Sequence, residues 1–474
     1  MSAFGLVAIT LVLLASLASS RDLPFFVKSL RDLHRGPPQL PMKSRAEPVT
    51  GWITQKIDHF DESNTDTYQM RYLVNDEFET EGSPIFIFVG GEWEIEPSMV
   101  KGGLWYDLAK EHNGVLVYTE HRYYGESLPT TTFSTENLKY LHVKQALADL
   151  AHFIETFKAE NPNLTNSKVL LSGGSYSATM VVWFKRLYPE LIVGGWASSA
   201  PLLAKLNFVE YKEVVGKAFL ELGGQQCYNR IQNGIAELEE LFDNKRAAEA
   251  RAMLRLCSNF DEHNDLDLWS LFGSISNIFS GIAQTQREGD IEFYCNYLLS
   301  FDDDASAIAN FAYYAWGSPN CLDPTYKETV EYYLWGINNL DESRAWYYQT
   351  CNEYGWYQTS GSSNQPFGTK FPATLYTELC SDVFDHQFGN EKIVENTVQT
   401  NEDFGGMEPE VENIYVTHGA LDPWHPMGLG TAEGATIISK ASHCNDFTSI
   451  SSQDSEEMRA AKERLSELVR EWLA

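Results

Sequence analysis

The run Lys168-Val169-Leu170-Leu171-Ser172-Gly173-Gly174-Ser175-Tyr176-Ser177-Ala178 sets an apolar β-type segment, a glycine pair, one serine and a helix-forming stretch in immediate succession. This is the shape of a nucleophile elbow, a turn so tight that its flanking residues must be small and its serine hydroxyl stands clear of the backbone. Serine is a weak nucleophile until a base takes its proton. Two later strand-like runs end in residues suited to that task. Asn413 to Thr417 leads into His418-Gly419-Ala420-Leu421-Asp422-Pro423-Trp424, and Ala435 to Ile438 leads into Ser442-His443-Cys444. Serine, aspartate and histidine thus follow one another in the chain, each just past a strand. In acyl transfer Ser175 attacks a carbonyl, His443 takes and returns the proton, and Asp422 holds the imidazole in the right tautomer. His418 and His425 are rival bases, but both lie too near Asp422 in sequence to approach it from the next loop.

A tetrahedral intermediate needs two preorganised N–H donors. The backbone amide of Tyr176, next after the nucleophile, is one. The loop Gly90-Gly91-Glu92-Trp93 offers the second, at Gly91, although it lacks the His-Gly-Gly-Gly run frequent in lipases and esterases. Glu92 reads either as a surface residue or as the partner of a substrate ammonium group. The elbow departs from G-x-S-x-G at its fifth position, which is Ser177.

These residues require an alternating frame. Pro84 to Val89 and Gly114 to Tyr118 are apolar at every position, as parallel strands covered on both faces are. A helix is expected around Thr135 to Glu160, another over Val181 to Leu187, and a strand over Val193 to Ala197. From Lys205 the glycine-ended strand runs disappear and the pattern becomes helical. A closing helix follows Asp454, with Glu457 three residues on in capping-box fashion. The alternation at both ends predicts an α/β doubly wound sheet with ligands at the carboxyl ends of its strands. The expected division is a leader over 1–20, a first core part over 45–204, a helical cap insertion over 205–345 and a second core part over 346–474.

Asp and Glu total 66 against 35 Lys and Arg, a formal charge of −31. Phosphates would repel such a chain, which argues against nucleic acid and anionic membrane partners. Phe4 to Leu17 is an apolar run followed by Ala18-Ser19-Ser20, which reads as a signal peptide despite an n-region without Lys or Arg. Secretory-pathway entry follows from it. Asn163-Leu164-Thr165 is the N-x-S/T sequon, in a polar loop fit for a glycan. Seven cysteines suggest disulfides with one left over; six fall between Cys227 and Cys380, and the seventh is Cys444. None has C-x-x-C spacing, so a zinc site is not expected.

With these residues placed, the chain resembles the serine exopeptidases that include prolyl carboxypeptidase, dipeptidyl peptidase II and thymus-specific serine protease, the last most closely. The matching stretches are Gly90-Gly91-Glu92, Glu120 to Gly125, Gly173 to Tyr176, Ala197 to Pro201, Tyr348 to Glu353, Asp422 to His425 and Ser442 to Cys444. The resemblance implies an α/β-hydrolase fold with a large, mostly helical cap inserted between the nucleophile half and the Asp/His half. It implies Ser175, Asp422 and His443 as the triad. It also implies pairing of Cys227 with Cys295, Cys257 with Cys321 and Cys351 with Cys380, leaving Cys444 free. The implied activity is cleavage of short peptides after a penultimate proline, in carboxypeptidase or dipeptidyl-peptidase mode, with no metal or cofactor and with Trp424 as one wall of the proline pocket. An extracellular or lysosomal location and a homodimer follow by family analogy only. Trp93 stands where the family has a small residue. Two other readings stay open: a secreted esterase or lipase on the same fold, and a catalytically silent hydrolase-like binding protein.

Overall fold

The computed structural model describes residues 23–33 and 36–474, so the expected leader over 1–20 lies outside the described residues. Ten strands are present among those described: Val49–Lys56 (β1), Thr67–Asn75 (β2), Ile85–Val89 (β3), Val115–Thr119 (β4), Val169–Gly174 (β5), Gly194–Ser198 (β6), Lys205–Asn207 (β7), Gly355–Tyr357 (β8), Ile414–Gly419 (β9) and Thr436–Ile438 (β10). Eight of them form one sheet in the order β1-β2-β4-β3-β5-β6-β9-β10. The β1–β2 and β2–β4 pairs are antiparallel, and every later pair is parallel.

Successive side chains of a strand point to opposite faces, and here the alternation sorts the core into two. Ile85, Ile87, Val115, Val117, Val169 and Leu171 join the cluster holding the helices Val143–Glu160 and Tyr176–Leu187. Phe86, Phe88, Leu116, Tyr118 and Leu170 join the other, with the helices Gly103–Glu111 and Glu456–Leu473. Both faces are therefore covered, which is why these runs carry no polar alternation. This is an α/β-hydrolase core with a helical cap.

Two boundaries differ from the sequence reading. The helix expected over Thr135 to Glu160 forms as Thr135–Leu138 and Val143–Glu160, each with its own side-chain cap, Ser134 and His142. The closing helix is capped by Ser455, whose Oγ accepts from the Met458 amide at 3.1 Å, while Asp454 pairs with Lys462 at 3.0 Å.

Between β6 and β9 the chain leaves the sheet. Helices Glu210–Asp243, Asp265–Thr285, Asp290–Leu299 and Asp304–Ala315 pack together as a cap. Cys227–Cys295 and Cys257–Cys321 bind its elements, and Cys351–Cys380 ties the following segment. Such bridges suit an oxidising compartment. The sequence reading returns the chain to the core at residue 346, but the central sheet regains a strand only at Ile414. In between, β8 pairs with β7 in a separate two-stranded ribbon, and the helices Ala373–Val383 and Asn390–Phe404 follow. A helix not foreseen from the sequence, Phe25–Leu33, docks on Asp265–Thr285 through the buried Phe26 and Val27. No helix among the described residues is long and apolar enough to cross a membrane.

Candidate active site

Ser175 sits between β5 and the helix Tyr176–Leu187 at φ 58°, ψ −130°. That is a sparsely populated conformation for a non-glycine residue, and the surroundings must hold it. The Ser175 amide donates to Ser198 O at 3.0 Å, and its carbonyl accepts from the Ala178 and Thr179 amides. The turn also explains its small residues. A Cβ on Gly173 would lie 2.4 Å from Ser177 O, and one on Gly174 would lie 2.7 Å from the Phe447 ring. Ser177 does what glycine would not: its hydroxyl accepts from the Gly174 amide and donates to the Gly174 carbonyl, both at 3.0 Å. The departure at the fifth position thus stitches the elbow shut.

Asp422 follows β9 and is fully buried. Its two carboxylate oxygens each stand 2.9 Å from His443 Nδ1, and Oδ1 also accepts from the Trp424 amide at 2.9 Å. Burial pushes the Asp422 carboxyl up, but His443, the Trp424 amide and His418 together offset it and the net direction is down. For His443, burial works against the charged form, yet the Asp422 carboxylate holds it well above the ordinary histidine value. His443 Nε2 is buried without a hydrogen-bond partner. The His443 residue lines one cavity of about 540 Å³ together with Ser175, Gly174, Trp93 and the segment from Gly36 to Gln39. Neither rival histidine lines that cavity. His425 Nδ1 bonds the Asp422 backbone carbonyl at 2.7 Å, and His418 is buried with both ring nitrogens unpartnered, burial lowering its pKa to about 4.

The helix Tyr176–Leu187 begins at the residue after Ser175, so its first amides have no partner within the helix and carry the positive end of its dipole. Gly91 lies just past β3 under the Trp93 indole, where a Cβ would come within 2.6 Å of the ring. Trp93 Nε1 donates to Tyr118 Oη at 2.6 Å, which fixes the indole as a wall. Glu92 is only 5% exposed, so it is no surface residue, and its Oε2 has no partner. Trp424 Nε1 donates to Gln284 Oε1 at 2.9 Å, and its ring centroid lies 6.4 Å from that of His443.

Gln284, near the end of a cap helix, is the residue the sequence concealed. Its side-chain amide donates to Leu33 O at 2.6 Å, its Oε1 also accepts from Tyr211 Oη at 2.6 Å, and its backbone carbonyl accepts from the His443 amide at 3.3 Å. One residue therefore joins the N-terminal helix, the tryptophan and the histidine loop, and no local pattern announces it. Other matched stretches brace the frame: Arg122 grips Asp149 at 2.7 and 2.8 Å, and Tyr176 Oη meets His121, Gln349 and Tyr354.

Fold and site define an α/β-hydrolase with a serine at its elbow and a carboxylate–imidazole pair beside it. The chain belongs to the serine carboxypeptidase S28 family, whose profile matches residues 55–465. It is a serine-type peptidase. Thymus-specific serine protease of Mus musculus is 29% identical over 457 residues, covering 90% of this chain and 88% of that protein. The Homo sapiens protein of that name is 28% identical, covering 90% and 87%. Lysosomal Pro-X carboxypeptidase of Bos taurus is 26% identical, covering 89% and 87%.

Proposed function

We propose that this chain is a serine exopeptidase that cleaves short peptides after a penultimate proline through an acyl-enzyme. The observation that carries the reading is the His443 ring, held by a buried carboxylate at Nδ1 and left unpartnered at Nε2 in the cavity that Ser175 lines. Catalytic hydrogen bonds are often open in a resting site and tighten when substrate fills it. Ser175 Oγ attacks the scissile carbonyl while His443 Nε2 takes its proton. The oxyanion is met by the amides of Tyr176 and Gly91, at a helix N-terminus and in a tight loop. His443 then returns the proton to the leaving amine, and water repeats the sequence on the ester.

Exopeptidase action is supported by the family match, and the cleft beside Ser175 is lined by the Gly36–Gln39 segment as well as Trp93 and Gln284. Proline preference is supported by Trp424 beside His443 and by Trp356 in edge contact with Trp424 at 5.7 Å. The relatives' names, one a Pro-X carboxypeptidase, point the same way. The domain division, with the cap beginning at 205 and the second core part at 346, is likewise a proposal. So are an extracellular or lysosomal location and a glycan on the exposed Asn163.

The test offers purified protein a proline-containing peptide blocked at its amine, one with a free amine, and a short-chain ester, with Ser175→Ala as control. Turnover of a proline peptide that disappears in Ser175→Ala is expected. Ester turnover alone would overturn the peptidase specificity, and proline-peptide turnover that survives in Ser175→Ala would overturn the role of Ser175.

A further inference from the structure

A second cavity, of about 250 Å³, adjoins the first across Trp93 and Gly36, which line both. Its walls are aromatic, with Trp346, Tyr347, Trp356, Tyr376 and Trp424 among them. Two residues more than nine-tenths buried line it and carry a side-chain oxygen without a hydrogen-bond partner: Glu92 at Oε2 and Gln358 at Oε1. A buried acceptor without a donor is costly, and two lining one cavity mark the place of a ligand rich in N–H. Burial pushes the Glu92 carboxyl up to about 8, with the nearby His443 pulling it back. Arg31 is the one Lys or Arg among the lining residues; it is exposed and its charge acts on Glu342, which also lines the cavity. Glu92 has no Lys or Arg partner among the lining residues, and the π faces around the cavity attract cations.

We propose that this cavity receives the protonated α-amine of the substrate's first residue, with Glu92 as its anionic partner, so that the enzyme cuts from the amino end in dipeptidyl-peptidase mode. The ammonium enters as the charge-balancing group, Glu92 gives up any proton to solvent, and Gln358 Oε1 accepts a second N–H. The peptide then runs past Trp93 towards Ser175, with its proline against Trp424. This assignment rests on the serine-exopeptidase reading and deepens it.

The test measures kcat/KM for Ala-Pro-, N-acetyl-Ala-Pro-, Lys-Pro- and N-acetyl-Lys-Pro-aminomethylcoumarin, with wild type and Glu92→Gln. The wild type is expected to prefer both free-amine substrates over their acetylated forms. Glu92→Gln is expected to cut that preference roughly 10- to 100-fold, the worth of one hydrogen bond to a charged group. As a check independent of the variant's folding, the free dipeptide Ala-Pro should slow fluorophosphonate labelling of the wild type more than N-acetyl-Ala-Pro does. Equal kcat/KM for free and acetylated forms overturns the inference. So does a preference that follows the lysine side chain instead of the α-amine, or faster turnover of an amine-blocked substrate cut at its carboxyl end. If the wild type takes no label at Ser175, the serine-exopeptidase reading itself fails; a labelled enzyme indifferent to acetylation fails this inference alone.

Discussion

The hydrolase core and the cap solve different problems with different materials. The core places Ser175 and Asp422 just past strands buried on both faces, and His443 in the loop after the edge strand β10. The cap is stitched by Cys227–Cys295 and Cys257–Cys321 and tolerates polar groups inside. Lys212, for example, is fully buried, its Nζ held at 2.8 Å by both Asn277 and Ser280, and burial drives its pKa well below the usual lysine value. The core thus holds the proposed reacting groups, while the cap and the N-terminal segment line the cavities beside them. Gln284 is where the two meet.

Asp422→Asn strikes the core and should have the largest effect, a loss of about 10⁴ in kcat with the fold retained. In the proposed mechanism the neutral imidazole is the base, so protonation of His443 should block the reaction and kcat/KM should fall as pH drops. Because Asp422 holds the His443 pKa well above the ordinary histidine value of 6.5, the acid limb of the wild type should lie above that pH. In Asp422→Asn the residual limb should move to lower pH; a limb that stays in place would break the assignment of Asp422.

Trp424→Ala reaches across the boundary between the regions. It should raise KM for proline substrates roughly 10- to 100-fold by removing the ring wall, consistent with about 1–3 kcal/mol for a lost apolar contact. Fluorophosphonate labelling of Ser175 should persist. Loss of labelling would mean that the tryptophan braces the triad instead of shaping the pocket.

Cys257→Ser with Cys321→Ser tests the cap alone. Opening that loop should destabilise the protein by about 4 kcal/mol against unfolding, measured by denaturant titration. The labelling rate under native conditions should change least of all the variants. A collapse of labelling in the folded double variant would show that cap and core are one unit.

What could be read from the sequence follows the same divide. The elbow was legible because one tight turn needs its residues contiguous, and the loops that carry Asp422 and His443 because each follows an apolar run. The N-terminal helix was missed because the proline-rich stretch from Gly36 to Pro41 dominated that region, and its partners lie far along the chain. The Gln284–Leu33 bond spans 251 residues, and Trp424–Gln284 spans 140. Glu92 was noticed but its environment was not, since burial by Trp93 and the aromatic cavity is a property of packing. Gln358 left no signal at all.

The most direct measurement is covalent labelling of the purified wild type with a fluorophosphonate, followed by mass mapping of the modified peptide. A single adduct on Ser175, absent from Ser175→Ala together with all peptide turnover, is the predicted result. An adduct on another serine, or undiminished turnover by Ser175→Ala, would contradict the account.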